Sequence, residues 1–401
     1  MVCIRSDSRP GRPRSCSPAP ATRTPANCSR RSRAGLAPPL PPGPPRREEA
    51  PRITSLAFLT PGNFEDDDPY TGLEHTLQLF EYGERLGFDG AWIRQRHLEH
   101  GVGSAAVFLA AAGQRTRRVE LGTAVIPIGY ESPFRLAEDL SLADVLSRGR
   151  LQAGFSTGMP HAELLGDLVH DGDWRSLDLS YGRIARLVDN LRGHYLGGPD
   201  TVIQSPGNTQ RPRLQPHDPA LVDRIWYGAG SVRSVRWAAG NGLNLLSGNI
   251  VSSEGTDDFT TAQSNLLSEY RRALDEARPA PRVAVGRVIV PLDSADAVTR
   301  ARYERYAAGR RERTLAPRAF GPKQVLFAPD VVGTAEQILE RLTADPVLAS
   351  VTELRLELPY EFHREEYEQI LHDVRHLVAP ELGWRPAEDD LPAGRPLPAG
   401  R

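Results

Sequence analysis

The chain has 401 residues and a formal net charge of -2, from 49 Lys and Arg against 51 Asp and Glu. That balance creates no overall field for nucleic acid or an anionic membrane, and no apolar run reaches the ~18 residues of a transmembrane helix. The length is enough for one large core. Lys323 is the only lysine, so nearly all the basic side chains are arginines. The cysteines, Cys3, Cys16 and Cys28, all sit near the N-terminus. The rest of the chain therefore holds no disulfide framework, thiolate metal site or cysteine nucleophile, and a reducing cytoplasm is the expected compartment.

Residues 1–50 carry SRPGRPRSCSPAP and APPLPPGPPRR, rich in Arg, Pro and Ser. Such a segment buries too little apolar surface to offset its ordering entropy, and a disordered tail is expected. Its prolines oppose an amphipathic targeting helix, and it has no signal-peptide apolar region. A basic interaction arm and a start codon set too far upstream are the other readings, the second preferred. Residues 386–401, rich in Pro and Gly, are expected to form a flexible C-terminal tail.

Between the tails, residues 53–59 (ITSLAFL) predict a buried strand. Residues 72–86 predict a helix through Leu73, Leu77, Phe80 and Leu86, stopped by Gly87. Strand two is 88–93, followed by a small Ala-rich helix at 104–117. Strand three is 119–126 (VELGTAVI), and helix 133–146 begins on Pro133. Strand four is 151–155, and 177–195 predicts a long amphipathic helix. Strand five, 224–229 (RIWYGA), leads to helix 232–239, and strand six, 243–246, to helix 259–277. Strand seven is 282–290 (RVAVGRVIV), followed by a helix at 334–343. Strand eight is 351–358 (VTELRLEL), and helix 365–377 closes the series. Alternation of strands and helices implies a parallel sheet. Eight units point to an α/β fold of the (β/α)8 TIM barrel type over 51–385, with insertions at 197–223 and 293–329. Loops of that length are uncommon and often cover a site.

In such a barrel the site lies beyond the C-terminal ends of the strands. The residues there are rich in small and hydroxyl side chains with few paired carboxylates. This suits a cofactor held by backbone and hydroxyl groups better than two-carboxylate glycosidase chemistry. Gly230, Ser231 and Ser234 open the helix after strand five. Backbone N–H groups and hydroxyls there form a ready phosphate cradle, though Ser is also a favoured N-cap. GFSTG at 154–158 matches the G-x-S-x-G nucleophile elbow, and HGVG at 100–103 resembles an oxyanion loop, so a serine hydrolase using Ser156 is one alternative. An elbow runs directly into a helix, which Met159-Pro160-His161 does not predict. A metal set from His97, Glu99 and His100 is weakly constrained by loop spacing, and no metal site is expected.

LGFDGAWIRQRHLE, VELGTAVIPIGYESPFRLAEDLSLADVLSRGRLQAGFSTG, IWYGAGSVRSVRWAAGNGLNLL and VVGTAEQILERL resemble successive blocks of the luciferase-like flavin-dependent monooxygenase/oxidoreductase family, the bacterial luciferase superfamily. The resemblance runs from about Ile53 to Leu382. It implies that reduced FMN, delivered by a separate flavin reductase, acts with O2 to oxygenate a small organic substrate. It also implies a homodimer packed through helices of the barrel's early half. F420-dependent hydride transfer is the alternative within the family, and a non-catalytic flavin-binding protein another. By the same resemblance Thr123, Ala124 and Val125 stand where the family packs backbone against the isoalloxazine ring, with Ala124–Val125 the candidate for a non-proline cis bond. Ser156 and Thr157 would contact flavin, and Gly230, Ser231 and Ser234 would hold the FMN phosphate.

Two departures loosen the likeness. Family members often read Glu-His-His where this chain reads Gln95-Arg96-His97. Arg96 replaces the first histidine; a guanidinium cannot act as a general base near neutral pH but can stabilise an anion. His97 keeps the second, and these two are the catalytic candidates. Thr157 stands where some members carry a phosphate-binding arginine. No G-x-G-x-x-G follows a strand, in keeping with a flavin reduced elsewhere.

Overall fold

The computed structural model describes residues 52–275, 279–321 and 323–387. The expected tails lie outside them except for Pro386 and Ala387, as do the three cysteines and residues 276–277 of the expected helix 259–277.

Eight parallel strands close into a barrel. They are β1 (Ser55–Thr60), β2 (Gly90–Ile93), β3 (Glu120–Thr123), β4 (Leu151–Ser156), β5 (Ile225–Gly228), β6 (Asn244–Ser247), β7 (Val283–Arg287) and β8 (Glu353–Glu357). Each pairs with the next, and β8 returns to pair with β1 in the register Ser55–Glu353 to Leu59–Glu357. This is the expected (β/α)8 barrel.

Side chains alternate across each strand. In β1, Leu56 and Phe58 join the core between strands and helices, whereas Ala57 and Leu59 face a second, smaller cluster inside the barrel. Trp92 and Trp226 fill that interior edge to face, 5.4 Å between centroids, beside the small Ala57 and Ala284. Only glycine fits at 122, because a Cβ there would lie 2.0 Å from Trp92 Cδ2. Below the tryptophans, Arg282 bridges Glu120 (2.8 Å) and Glu353 (2.7 Å). Of the three, Glu353 is the buried charge, and a buried charge is tolerable only when paired. The outer helices bury one face each: Tyr181–Leu191 does so through Ile184, Leu187, Val188 and Leu191, the i, i+3, i+4, i+7 pattern.

Several expectations need correction. The long helix at 177–195 is shorter, Tyr181–Leu191, and a further helix, Ala162–His170, precedes it. The insertion 293–329 is not an irregular loop. It contains the helix Ala297–Arg311 and a hairpin of Arg318–Phe320 with Lys323–Phe327. That helix is dense in arginine and buries only Tyr303 and Tyr306, so it shows no aliphatic periodicity. The hairpin pairs antiparallel with Ile250–Ser252, just beyond β6, and so reaches the C-terminal mouth of the barrel.

Candidate active site

The strand expected over 119–126 breaks after Thr123. The Ala124–Val125 peptide bond is cis, and pairing resumes at Ile126–Pro127 against Phe155 and Ser156. The Thr123 hydroxyl spans the break, accepting the Gly154 N–H at 2.7 Å and donating to the Gly154 carbonyl at 2.9 Å. Gly154 is required for this approach, since a Cβ would sit 2.3 Å from the Thr123 carbonyl oxygen.

Above the tryptophans a cavity of about 210 Å³ opens at the mouth. Ala124 and Val125 form one wall; Gly228, Gly230 and Gly248 form much of the rest; Arg94, Arg355 and Glu357 complete it. Arg94 Nη2 binds Glu357 Oε2 at 2.6 Å. Arg355 Nη2 binds Glu353 Oε2 at 2.7 Å, and its guanidinium lies 4.9 Å and 5.3 Å from the Trp92 and Trp226 rings. Among the described residues Arg94 Nε and Arg355 Nε and Nη1 are buried with no hydrogen-bond partner. A buried donor without an acceptor is costly. A glycine-lined slot with orphaned donors fits the flat, acceptor-edged ring of a flavin.

A second cavity, about 660 Å³, adjoins it: Gly230 lines the first and Ser231 the second. Thr157, Ser180, Ser252 and Ser253 contribute hydroxyls, Arg233 and Lys323 contribute positive charge, and Asp178 and Glu254 contribute carboxylates. Among the described residues neither cation forms an ion pair, although Arg233 lies 5.5 Å from the Tyr181 ring. This chemistry fits a phosphate tail. Ser231 and Ser234, however, are already engaged. Ser231 caps the helix Val232–Gly240 by accepting the Ser234 N–H, and Ser234 Oγ accepts the Ser231 N–H, a complete capping box. The N-cap role is therefore observed for Ser231, and Ser234 is buried away from both cavities. Glu254 Oε2 accepts the Val232 N–H at 2.8 Å.

Arg96 and His97 diverge although adjacent in sequence. Arg96 donates to the Tyr360 hydroxyl through Nη2 at 2.8 Å and lines a pocket with Asn63, Phe64 and Tyr360. His97 turns towards Tyr130, with ring centroids 5.1 Å apart. Gln95 fixes it. Gln95 Oε1 accepts the Ala105 N–H at 3.0 Å, so Nε2 is the donor, to Glu131 Oε1 at 2.7 Å and to His97 Nε2 at 3.2 Å. His97 Nε2 is then an acceptor, and the neutral ring carries its proton on Nδ1. Burial holds the imidazole pKa below its ordinary value and raises that of the Glu131 carboxyl.

A model of the luciferase-like monooxygenase family matches residues 54–352. The chain belongs to that family, whose members are oxidoreductase enzymes. It is 39% identical over 119 residues to limonene 1,2-monooxygenase of Rhodococcus erythropolis, a match covering 29% of this chain and 31% of that protein. It is 34% identical over 109 residues to 4-hydroxyprotoasukamycin monooxygenase of Streptomyces nodosus subsp. asukaensis, covering 27% and 29%. The matches thus span under a third of each of these relatives. By fold it is similar to the monooxygenase RslO1 of Streptomyces bottropensis, with a TM-score of 0.60, 20% identity, and coverage of 82% of this chain and 99% of that one. It is also similar to the oxygenating constituent of 3,6-diketocamphane monooxygenase of Pseudomonas putida, solved with FMN: TM-score 0.55, 12% identity, 82% and 98% covered.

The G-x-S-x-G segment is not a nucleophile elbow. Ser156 ends β4, the following helix begins only at Ala162, and among the described residues no histidine hydrogen-bonds Ser156. His161 instead meets Glu99 at 3.2 Å. Ser156 and the fully buried Thr123 line neither cavity. Among the described residues no group of three His, Cys, Asp or Glu is placed to hold a metal ion, and no helix is long and apolar enough to cross a membrane.

Sequence reasoning missed Arg355, Glu357, Arg233, Glu254 and Lys323. One signal was available: in VTELRLEL, Glu353, Arg355 and Glu357 alternate with leucines, which puts three charges on one face of a strand buried on both sides.

Proposed function

We propose that this chain is the oxygenase of a flavin-dependent monooxygenase that takes reduced FMN from a separate reductase. One atom of O2 enters a small organic substrate and the other leaves as water. The observation that carries this reading is the pair of adjoining cavities, one glycine-lined, the other lined by hydroxyls and by Arg233 and Lys323 together with the carboxylates Asp178 and Glu254, joined at Gly230–Ser231. Bound reduced FMN would supply the electrons that activate O2. Ala124, Val125 and Gly230 would take its ring, and Thr157, Ser231, Arg233 and Lys323 its phosphate. Arg96 would stabilise negative charge in the pocket it lines, and neutral His97, on the Tyr130 side, would have the Nδ1 proton to donate. The reading also places the protein in the cytoplasm as a homodimer. Val107, Phe134, Leu142, Val145 and Leu146 are exposed on the early helices Ala105–Arg115 and Pro133–Leu146, and sedimentation measurements test the dimer.

Anaerobic titration with reduced FMN and with reduced F420, followed by absorbance, tests the cofactor. Tight binding of FMN is expected, and preference for F420 overturns the FMN assignment in favour of hydride transfer. Ester turnover that disappears in Ser156→Ala, without flavin binding, would overturn the oxidoreductase reading altogether.

A further inference from the structure

Among the described residues, the arginine nitrogens Arg94 Nε, Arg355 Nε and Arg355 Nη1 are buried without an acceptor. Arg355 is 1% exposed, and of its three nitrogens only Nη2 has a hydrogen-bond partner among the described residues. That partner, Glu353, lies two residues earlier on β8, hence deeper in the barrel by about 6.6 Å, and does not line the mouth cavity. Arg355 does line it. So does Arg94, whose Nε is likewise buried and unpartnered while Nη2 holds Glu357. Glu357 is committed twice, to Arg94 and to the Asn249 N–H at 3.2 Å, and leaves these donors unanswered. The tryptophan faces flank Arg355 and keep its charge in the low-dielectric barrel interior, where a fixed cation acts more strongly than in bulk water.

We infer that Arg355, with Arg94 beside it, forms an acceptor-binding subsite in the floor of the ring cavity that selects the reduced, anionic flavin over the oxidised, neutral one. The inference rests on the flavin reading above and adds to it the residue that sets redox-state preference. The chemistry is that of charge. Two-electron-reduced flavin, deprotonated near neutral pH, carries negative charge on the carbonyl-bearing pyrimidine ring, and the oxidised ring carries none. A buried guanidinium with free N–H groups favours the charged acceptor over the neutral one. For an oxygenase that receives reduced flavin from another protein, such a preference also favours release of the oxidised product.

The test compares wild-type protein with Arg355→Met and Arg355→Lys. Affinity for oxidised FMN is read from flavin fluorescence quenching, affinity for reduced FMN from anaerobic titration, and the midpoint potential of bound FMN from spectroelectrochemistry. Wild type is expected to prefer reduced FMN by about ten-fold or more. Arg355→Met is expected to cut that preference at least ~5-fold and to lower the midpoint potential. Arg355→Lys keeps the charge that Glu353 requires but removes the Nε and Nη1 donors. It is expected to fold and to lose preference in the same direction, and it decides the matter if Arg355→Met fails to fold. An unchanged ratio and potential in a variant that still binds oxidised FMN overturns this inference and leaves the flavin reading intact. Failure of wild type to bind FMN in either state overturns the flavin reading, and this inference with it.

Discussion

The Glu254 carboxylate accepts the Val232 N–H at 2.8 Å, so an anion already rests on the first turn of the helix Val232–Gly240. That turn carries the positive end of the helix dipole. A cofactor phosphate placed there would meet a carboxylate of its own sign. Replacing Glu254 by Gln is therefore expected to tighten FMN binding roughly two- to five-fold. Riboflavin, which lacks the phosphate, should bind unchanged. Fluorescence titration of both ligands checks this, and equal tightening of the two would place Glu254 against the ring instead.

Arg233 and Lys323 come from different parts of the chain, the helix after β5 and the hairpin of the second insertion, and line one cavity. The double variant Arg233→Ala with Lys323→Ala is expected to weaken FMN by about ten-fold or more at low salt and to flatten the salt dependence of binding. Riboflavin affinity should not move. Loss of affinity for both ligands would mean that the hairpin, not its charge, is what matters.

His97 links the site to pH. Burial disfavours its charged form, so its folded pKa lies below the unfolded value near 6.5. Between those two values the unfolded chain binds the extra proton. The stability contributed by neutral His97 is thus present above about pH 6.5 and is lost as the pH falls from there through the folded value. Denaturant unfolding of wild type and His97→Gln from pH 7.5 to 5 is expected to show a shallower acid decline in the variant. A parallel decline would assign the effect to other groups.

Gly122 sets the interior packing. An alanine Cβ there would lie 2.0 Å from Trp92 Cδ2 and 2.3 Å from Cε2. Trp92 is fully buried against Trp226 and beneath Arg355 and cannot yield without moving both. Gly122→Ala is expected to cost about 1–3 kcal/mol in chemical denaturation and to disturb tryptophan fluorescence. A neutral result would show slack in the barrel interior.

The barrel was legible because its signals are local. ITSLAFL, VELGTAVI and VTELRLEL each pattern a strand, and the glycines and capping residues between them mark turns and helix ends without reference to the rest of the chain. Strand three shows where such reading stops. VELGTAVI scans as one strand, yet the strand is interrupted after Thr123, at the cis Ala124–Val125 bond, and the Thr123 hydroxyl engages Gly154, 31 residues away. The helix Ala297–Arg311 escaped notice because tyrosines, not aliphatics, form its buried face.

The sequence by itself determined the α/β alternation, the eight-fold count, the strand ends as the place where a site is expected, and the membership in the luciferase-like monooxygenase family that the motif blocks announce. Tertiary structure alone decided which side chains share a cavity. It separated Arg96 from His97, turned Ser231 and Ser234 into a helix cap, and removed Ser156 from any catalytic pairing. It also brought Lys323 and Arg233 into the lining of one cavity and Arg355 into that of the other. The physical reason is that strand and helix patterns arise between residues two to four positions apart. A binding site is made by side chains that meet only after the barrel closes β8 onto β1.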